Sequence, residues 1–247
     1  MKLVADLHTH TIASGHAYST VLENTRVAAD RGLEMIALTD HGPALPGGTY
    51  KHFFANLRVL PVKIFGVEVL RGIEANIMDQ QGGLDLGDYF LEKLDIVLAG
   101  LHRDCYDPGS VEANTRALVA AIASGKVDVI VHPGNPAFPI DANQVAEAAA
   151  RHGVLLEINN SSLTGLARKG SRDNCFKLAE HVALHKGQVC LGSDAHFAGH
   201  VGELEVAAEL ARKHLSDEQI INTSCAAVHQ FLASRGRRRQ PARRPLI

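Results

Sequence analysis

Seven short apolar runs, most of them rich in Val, Ile and Leu, recur along the chain: LVADLH (3–8), MIALTDH (35–41), VEVLRGIEA (67–75), DIVLAGLH (95–102), VDVIVHP (127–133), VLLEINN (154–160) and QVCLGSDAH (188–196). Each is nearly continuously apolar instead of strictly alternating. Strands of a parallel sheet, covered on both faces, read this way. Helix signals separate most of them. Thr20 and Glu23 form a capping box that opens a helix closed by Gly32. Segments 110–125, 141–152, 171–186, 203–214 and 216–234 read as further helices, with Gly125, Gly153 and Gly187 as the first three stops. One parallel α/β domain, closed or nearly closed into a barrel, is the expectation. An open doubly wound sheet is the alternative, but its Gly-rich phosphate fingerprint is missing after the first strand.

Composition narrows the class. With 46% hydrophobic and 21% charged residues over 247 positions the chain reads as one globular unit. No apolar run approaches the roughly 20 residues that cross a bilayer. The opening MKLVADLHTHT reaches Asp6 and His8 too early to hold a signal peptide's apolar stretch. Cys105, Cys175, Cys190 and Cys225 show no paired spacing, so a reduced, cytoplasmic setting is expected. Six arginines crowd residues 235–247, expected to be a disordered tail; residues 1–234 carry a net charge of −8 without them. A core of that sign suits bound cations better than nucleic acid. Aromatic residues, at 5% and without Trp, offer little for stacking bases.

The 14 histidines are the outlier, and their positions matter more than their number. His8 and His10 end and follow the first run. His41, His102 and His132 lie at the ends of three more, Glu74 near the end of the third, and Asp194 with His196 at the end of the last. In a β/α barrel the C-terminal strand ends meet at one face, so these residues converge there. Imidazoles and carboxylates are ligands of zinc, manganese and iron. Period-two spacing puts His8 with His10, and Asp194 with His196, on one side of their strands. His16, in the loop ASGHAYST, reads from its own surroundings as a loop residue. His181 and His185 share a helix face but lack the glutamate of H-E-x-x-H, and His52, His152, His200, His214 and His229 read as surface.

The motifs DLHTHT (6–11), TDHG (39–42), RGIEAN (71–76), GLH (100–102), HPGN (132–135), LEINNSS (156–162) and GSDAH (192–196) together resemble the PHP (polymerase and histidinol phosphatase) superfamily, and within it the YcdX-like bacterial phosphatase branch. The resemblance runs from about residue 3 to 234. It implies a distorted seven-stranded (β/α)7 TIM-like barrel and a site holding three divalent metal ions, zinc first, with manganese or iron as alternatives. Carried over by motif, one ion takes His8, His10, Glu74 and Asp194; a second shares Glu74 and adds His102 and His132; the third takes His16, His41 and His196. His16 thus becomes a ligand by resemblance. The chain departs from the branch at Arg103-Asp104-Cys105, where a Glu-Pro pair is expected, which bears on substrate choice.

The implied activity is hydrolysis of small-molecule phosphomonoesters through a metal-activated hydroxide, with Glu74, Asp194 and His196 at the reacting centre. Arg103, Arg168 and Lys169 are candidate substrate contacts, the last two against a reading as a solvated basic loop. Arg71 should point away from the metals by strand alternation. Asp40 either orients an imidazole or caps a helix. The loop 43–50 is placed to shape the entrance. A metal-dependent amidohydrolase-like C–N hydrolase is the rival within enzymes; a non-catalytic metal- or anion-binding protein is the rival outside them. The expected partner is a small phosphorylated substrate, with room for a homo-oligomer and none for a membrane.

Overall fold

The computed structural model describes residues 2–165 and 167–237. Seven strands form a parallel, nearly closed barrel: β1 (Ala5–Thr9), β2 (Met35–Leu38), β4 (Val67–Asn76), β5 (Ile96–Gly100), β6 (Val129–Ile130), β7 (Leu155–Asn159) and β8 (Val189–Gly192), hydrogen-bonded in that order. Each lies within one of the seven apolar runs or overruns it by a single residue. An eighth strand, β3 (Lys63–Ile64), was not expected and pairs antiparallel with β4. Its turn uses Phe65 and Gly66, both at positive φ (50° and 83°). That is the geometry of a tight two-residue hairpin, but Phe is not a residue that advertises it. The Arg26 guanidinium lies 3.6 Å above the Phe65 ring and covers it.

Side chains alternate between two layers. Ala5, Leu7, Met35, Ala37, Leu70, Ile96, Leu98, Val129, Val131, Leu155 and Cys190 pack in the barrel interior. Ile73, Ala75, Val97, Ala99, Ile130, Leu156, Ile158, Val189 and Leu191 face outward to the helices. The helices are α1 (Val21–Asp30), α2 (Lys51–Asn56), α3 (Asp88–Leu91), α4 (Val111–Ala123), α5 (Ala142–His152), α6 (Asn160–Thr164), α7 (Ser171–Leu184), α8 (Glu205–Ala211) and α9 (Cys225–Ser234). The Thr20–Glu23 capping box is present at α1. Gly153 ends α5 in the left-handed region at φ 62°, where a side chain would be strained.

The helix expected over 216–234 is instead two 3-10 turns followed by α9, which Ser224 caps by accepting from the Ala226 and Ala227 N–H groups. The break has a cause. Asn222, fully buried, fills the gap between β1 and β8 where those strands do not pair. Its Nδ2 donates to Ala5 O and Leu191 O (2.8 Å each), its Oδ1 accepts from Leu191 N (2.7 Å), and its carbonyl accepts from Val4 N (2.9 Å). At the other end the ring closes directly, Asp194 N donating to His8 O and His10 N to Ala195 O, both 2.9 Å. Ile221, Val228, Phe231 and Leu232 then seal the barrel floor.

Two arginines of the expected tail are anchored, which corrects that expectation at its start. Arg235 donates to Val127 O (2.9 Å) and His152 O (2.7 Å), and Arg237 donates to Asp128 Oδ2 (2.8 Å) and Leu91 O (3.1 Å). Residues 238–247 lie outside the described residues. Among the described residues no helix is long and apolar enough to cross a membrane.

Candidate metal centre

A bulge in β1 sets up the site. The β1–β2 register slips by one residue between Asp6 and Thr9. Ala5 and Leu7 face the interior, so regular alternation would turn His8 and His10 outward. The extra residue restores both to the inside. Glu74 reaches the interior by ordinary alternation, lying between outward Ile73 and Ala75.

Glu74 is the hub. Its Oε1 lies 2.7 Å from His132 Nε2 and 3.0 Å from His102 Nε2. Its Oε2 lies 2.8 Å from His41 Nδ1 and 3.4 Å from the Nε2 atoms of both His8 and His10. Asp194 Oδ1 sits 3.2 Å from His10 Nε2 and 3.6 Å from His8 Nε2. His196 stacks on His10 at 4.2 Å between ring centroids, and its Nε2 is 3.0 Å from His16 Nε2. All nine residues expected at the site therefore meet at one mouth. Donor atoms close enough to share an ion come from His8, His10 and Asp194, from His41, Glu74 and His102, and from His10, His41 and His196. His41 thus faces two groups, where the resemblance put it in one.

Electrostatics keep Glu74, Asp194, His132 and His10 in ligand form. Burial would push the Glu74 carboxyl up, but His41, His102 and His8 hold it well below the usual range. Burial likewise opposes ionisation of Asp194, and Arg168 and His8 overcome it. Burial, then Arg168, brings His132 down to about 4, so its ring nitrogen is bare at neutral pH. Burial and the neighbouring His41 lower His10 well below the ordinary value. Burial would lower His8 too, but Glu157, Glu74 and Asp194 raise it well above normal, so the centre draws positive charge to that point.

The donor set fits divalent cations. Glu74 Oε2, His41 Nδ1, His102 Nδ1 and Asp194 Oδ1 are buried without a well-aligned hydrogen bond, although the first two lie 2.8 Å apart. Orphaned buried polar atoms are costly, and here they cluster on imidazoles and carboxylates at one mouth. Two residues of the cluster also hold strained backbones, His132 at φ 35° and Asp194 at φ 55°, each costing on the order of 1 kcal/mol or more. Hydrogen bonds pin both: His132 N donates to Glu157 Oε2 (2.7 Å) and Asp194 N to His8 O.

Residues behind the ligands aim them, and most were not singled out from sequence. Glu157 Oε1 is 2.8 Å from His8 Nδ1, fully buried, and Gly192 is glycine because a Cβ there would collide with that oxygen. A proton on Nδ1 shared with Glu157 leaves Nε2 for an ion. Ser14 Oγ donates to Asp40 Oδ1 (2.7 Å) and sits 3.1 Å from His10 Nδ1, doing the same for His10. Asp40 also accepts from Thr11 N and Oγ1 (2.7 and 2.8 Å). It thus reaches His10 through Ser14 and also braces Thr11, where the 3-10 turn Ile12–Ser14 begins. The signal for Glu157 was present: a lone acid between Leu156 and Ile158 repeats the pattern of Glu74.

A cleft of about 840 Å³ opens over the cluster, lined by His16, His41, His102, Asp194 and His196 with Arg103, Arg168 and Lys169. Leu45 and Pro46 of the 43–50 loop form part of its rim. Arg168 is not a solvated side chain: its Nη1 bonds Asp194 Oδ2 at 2.8 Å and lies 3.3 Å from Ser162 Oγ. Arg103 and Lys169 are exposed. Arg71 points away, as expected, in a two-pronged pair with Asp95 (2.8 and 2.9 Å). His181 and His185 form no metal pair; His185 Nε2 bonds Asn143 Oδ1 at 2.9 Å.

Fold and site together define a parallel β/α barrel with a histidine–carboxylate cluster of metal-ligand type across its C-terminal mouth. The PHP domain family matches residues 6–219, and the chain belongs to that family. A probable phosphatase of Thermoanaerobacter sp. strain X514 is 47% identical over 240 residues, covering 96% of this chain and 98% of that one. One from Shewanella frigidimarina is 48% identical over 237 residues, covering 96% and 95%. Among solved structures, the histidinol phosphate phosphatase of Lactococcus lactis, crystallised with zinc, L-histidinol and phosphate, shares the fold at a TM-score of 0.55 and 16% identity, covering 86% of this chain and 94% of that one.

Proposed function

We propose that the protein is a metal-dependent phosphatase of small-molecule phosphomonoesters, of the YcdX-like branch, working at a trinuclear site with zinc as the first candidate. The observation that carries it is the Glu74 hub, one buried carboxylate within 3.4 Å of five imidazoles. The names of the full-length relatives and the zinc in the Lactococcus structure point the same way. Divalent cations there supply Lewis acidity, acidifying water and neutralising phosphoryl oxygens.

The chain's own residues do the rest. Glu74 would serve more than one ion; His8, His10 and Asp194 would hold one, His102 and His132 another, and His16, His41 and His196 a third at the outer rim. Arg168 fixes Asp194 from behind, while Arg103 and Lys169 give the cleft the sign that attracts an anionic substrate. Asp194 and His196, on the cleft wall, are the residues placed to face a leaving oxygen. Burial, with Asp85 and Asp104, pushes the nearby Cys105 thiol up to about 11, which makes it a poor nucleophile. Four free cysteines support a cytoplasmic setting.

The test is inorganic phosphate release from a panel of phosphomonoesters by protein stripped with chelator and then resupplied with zinc or manganese. Metal-dependent release is expected, falling about 100-fold or more in His10→Ala and Asp194→Asn, the scale of losing one electrostatic stabiliser. Folded, metal-loaded protein that releases no phosphate contradicts the reading.

A further inference from the structure

We infer that the alcohol half of the substrate carries a flat aromatic ring and lies in a second lobe of the mouth, between Tyr18 and Phe197. This rests on the phosphatase reading and adds the class of alcohol. The lobe is a cavity of about 560 Å³ that shares Ser161, Asp194 and His196 with the basic cleft. A phosphoryl group held at the cluster therefore lies beside both spaces, divided by that wall. On one side the arginines and the lysine favour anionic groups. On the other stand two aromatic rings.

Tyr18 and Phe197 are 78% and 55% exposed. A single exposed aromatic residue needs no explanation. Two lining one cavity beside a candidate metal centre give that cavity exposed ring surface. Their positions are tied to the site. Tyr18 N donates to His196 O (2.8 Å), Phe197 follows His196 in the chain, and Ala198 N donates to Ser19 Oγ (2.8 Å), joining the two segments again. Both acids of the lobe are engaged, Asp194 by Arg168 (2.8 Å) and Glu203 by His200 (2.9 Å) and Arg31 (3.4 Å). Selection here thus works through ring faces more than through charge.

The test compares binding with turnover. Zinc-loaded protein is titrated calorimetrically with 3-phenylpropylphosphonate and with propylphosphonate, non-hydrolysable counterparts of 2-phenylethyl phosphate and ethyl phosphate. The aromatic ligand should bind about tenfold tighter, and Tyr18→Ala and Phe197→Ala should each remove about threefold or more of that preference, the scale of one aromatic pair. Both side chains are exposed, so neither change should disturb the fold. Tyr89→Ala, an exposed ring on α3, should keep the preference. Absence of a preference, including failure of both ligands to bind, overturns the inference, as does a preference that survives both variants. If it depends on Tyr18 and Phe197 while neither ester is hydrolysed, the lobe stands and the phosphatase reading falls.

Discussion

At the residue scale, Glu157 shows how a buried carboxylate can matter without touching an ion. One oxygen faces His8 Nδ1 and the other takes the His132 backbone N–H, so a single side chain aims one ligand and stabilises the strained backbone of another. A glutamine in its place presents an NH2 to one of these two donors. Glu157→Gln should therefore weaken zinc binding about 10- to 100-fold, the usual effect of losing such a support. Equilibrium dialysis against zinc, with circular dichroism to confirm the fold, checks this. Unchanged affinity would show that Glu157 is only a packing residue.

At the element scale, the barrel relies on a side chain where a strand pair is missing. Asn222 spans the β1–β8 gap with four hydrogen bonds from its amide and carbonyl. Asn222→Leu strands buried backbone groups on both strands and should cost about 2–4 kcal/mol. That corresponds to a melting temperature lower by roughly 4–16 °C in a chain of this size. A shift under a degree would mean that the strands re-pair without it. The same element shows where sequence reading stops. All seven barrel strands and the long helices were legible because continuous apolar runs and capping residues are local signals. The break before α9 was not, because Asn222 is set by partners more than 30 residues away, at Ala5 and Leu191. Nor was β3, whose turn begins with Phe65. The β1 bulge was equally hidden, so the inward pointing of His8 and His10 was anticipated without its mechanism. The nine residues of the centre were visible, since strand ends must meet in a barrel, but the division of His41 between two groups depends on ring positions that no spacing encodes.

At the scale of the whole molecule, chemistry and anchoring occupy opposite ends. The mouth holds the cluster, while the floor is closed by α9 and held by Arg235 and Arg237 against the buried Asp128. Burial pushes the Asp128 carboxyl up, and Arg237 and Arg235 oppose that rise. A chain ending at residue 234 loses both arginines and should be less stable by about 3 kcal/mol, the scale of breaking a buried ion pair. One ending at residue 237 keeps both arginines and is the reference for that comparison. Both should keep their zinc stoichiometry, because the floor does not build the mouth. Equal melting of the two truncations would show that the arginines hold nothing.

On the proposed function, the mouth takes up three divalent ions around Glu74. Anomalous diffraction from crystals of the zinc-loaded protein, recorded on both sides of the zinc absorption edge, tests it most directly. Three peaks are expected within the ring formed by His8, His10, His16, His41, Glu74, His102, His132, Asp194 and His196. A single peak, or peaks away from Glu74, would contradict it.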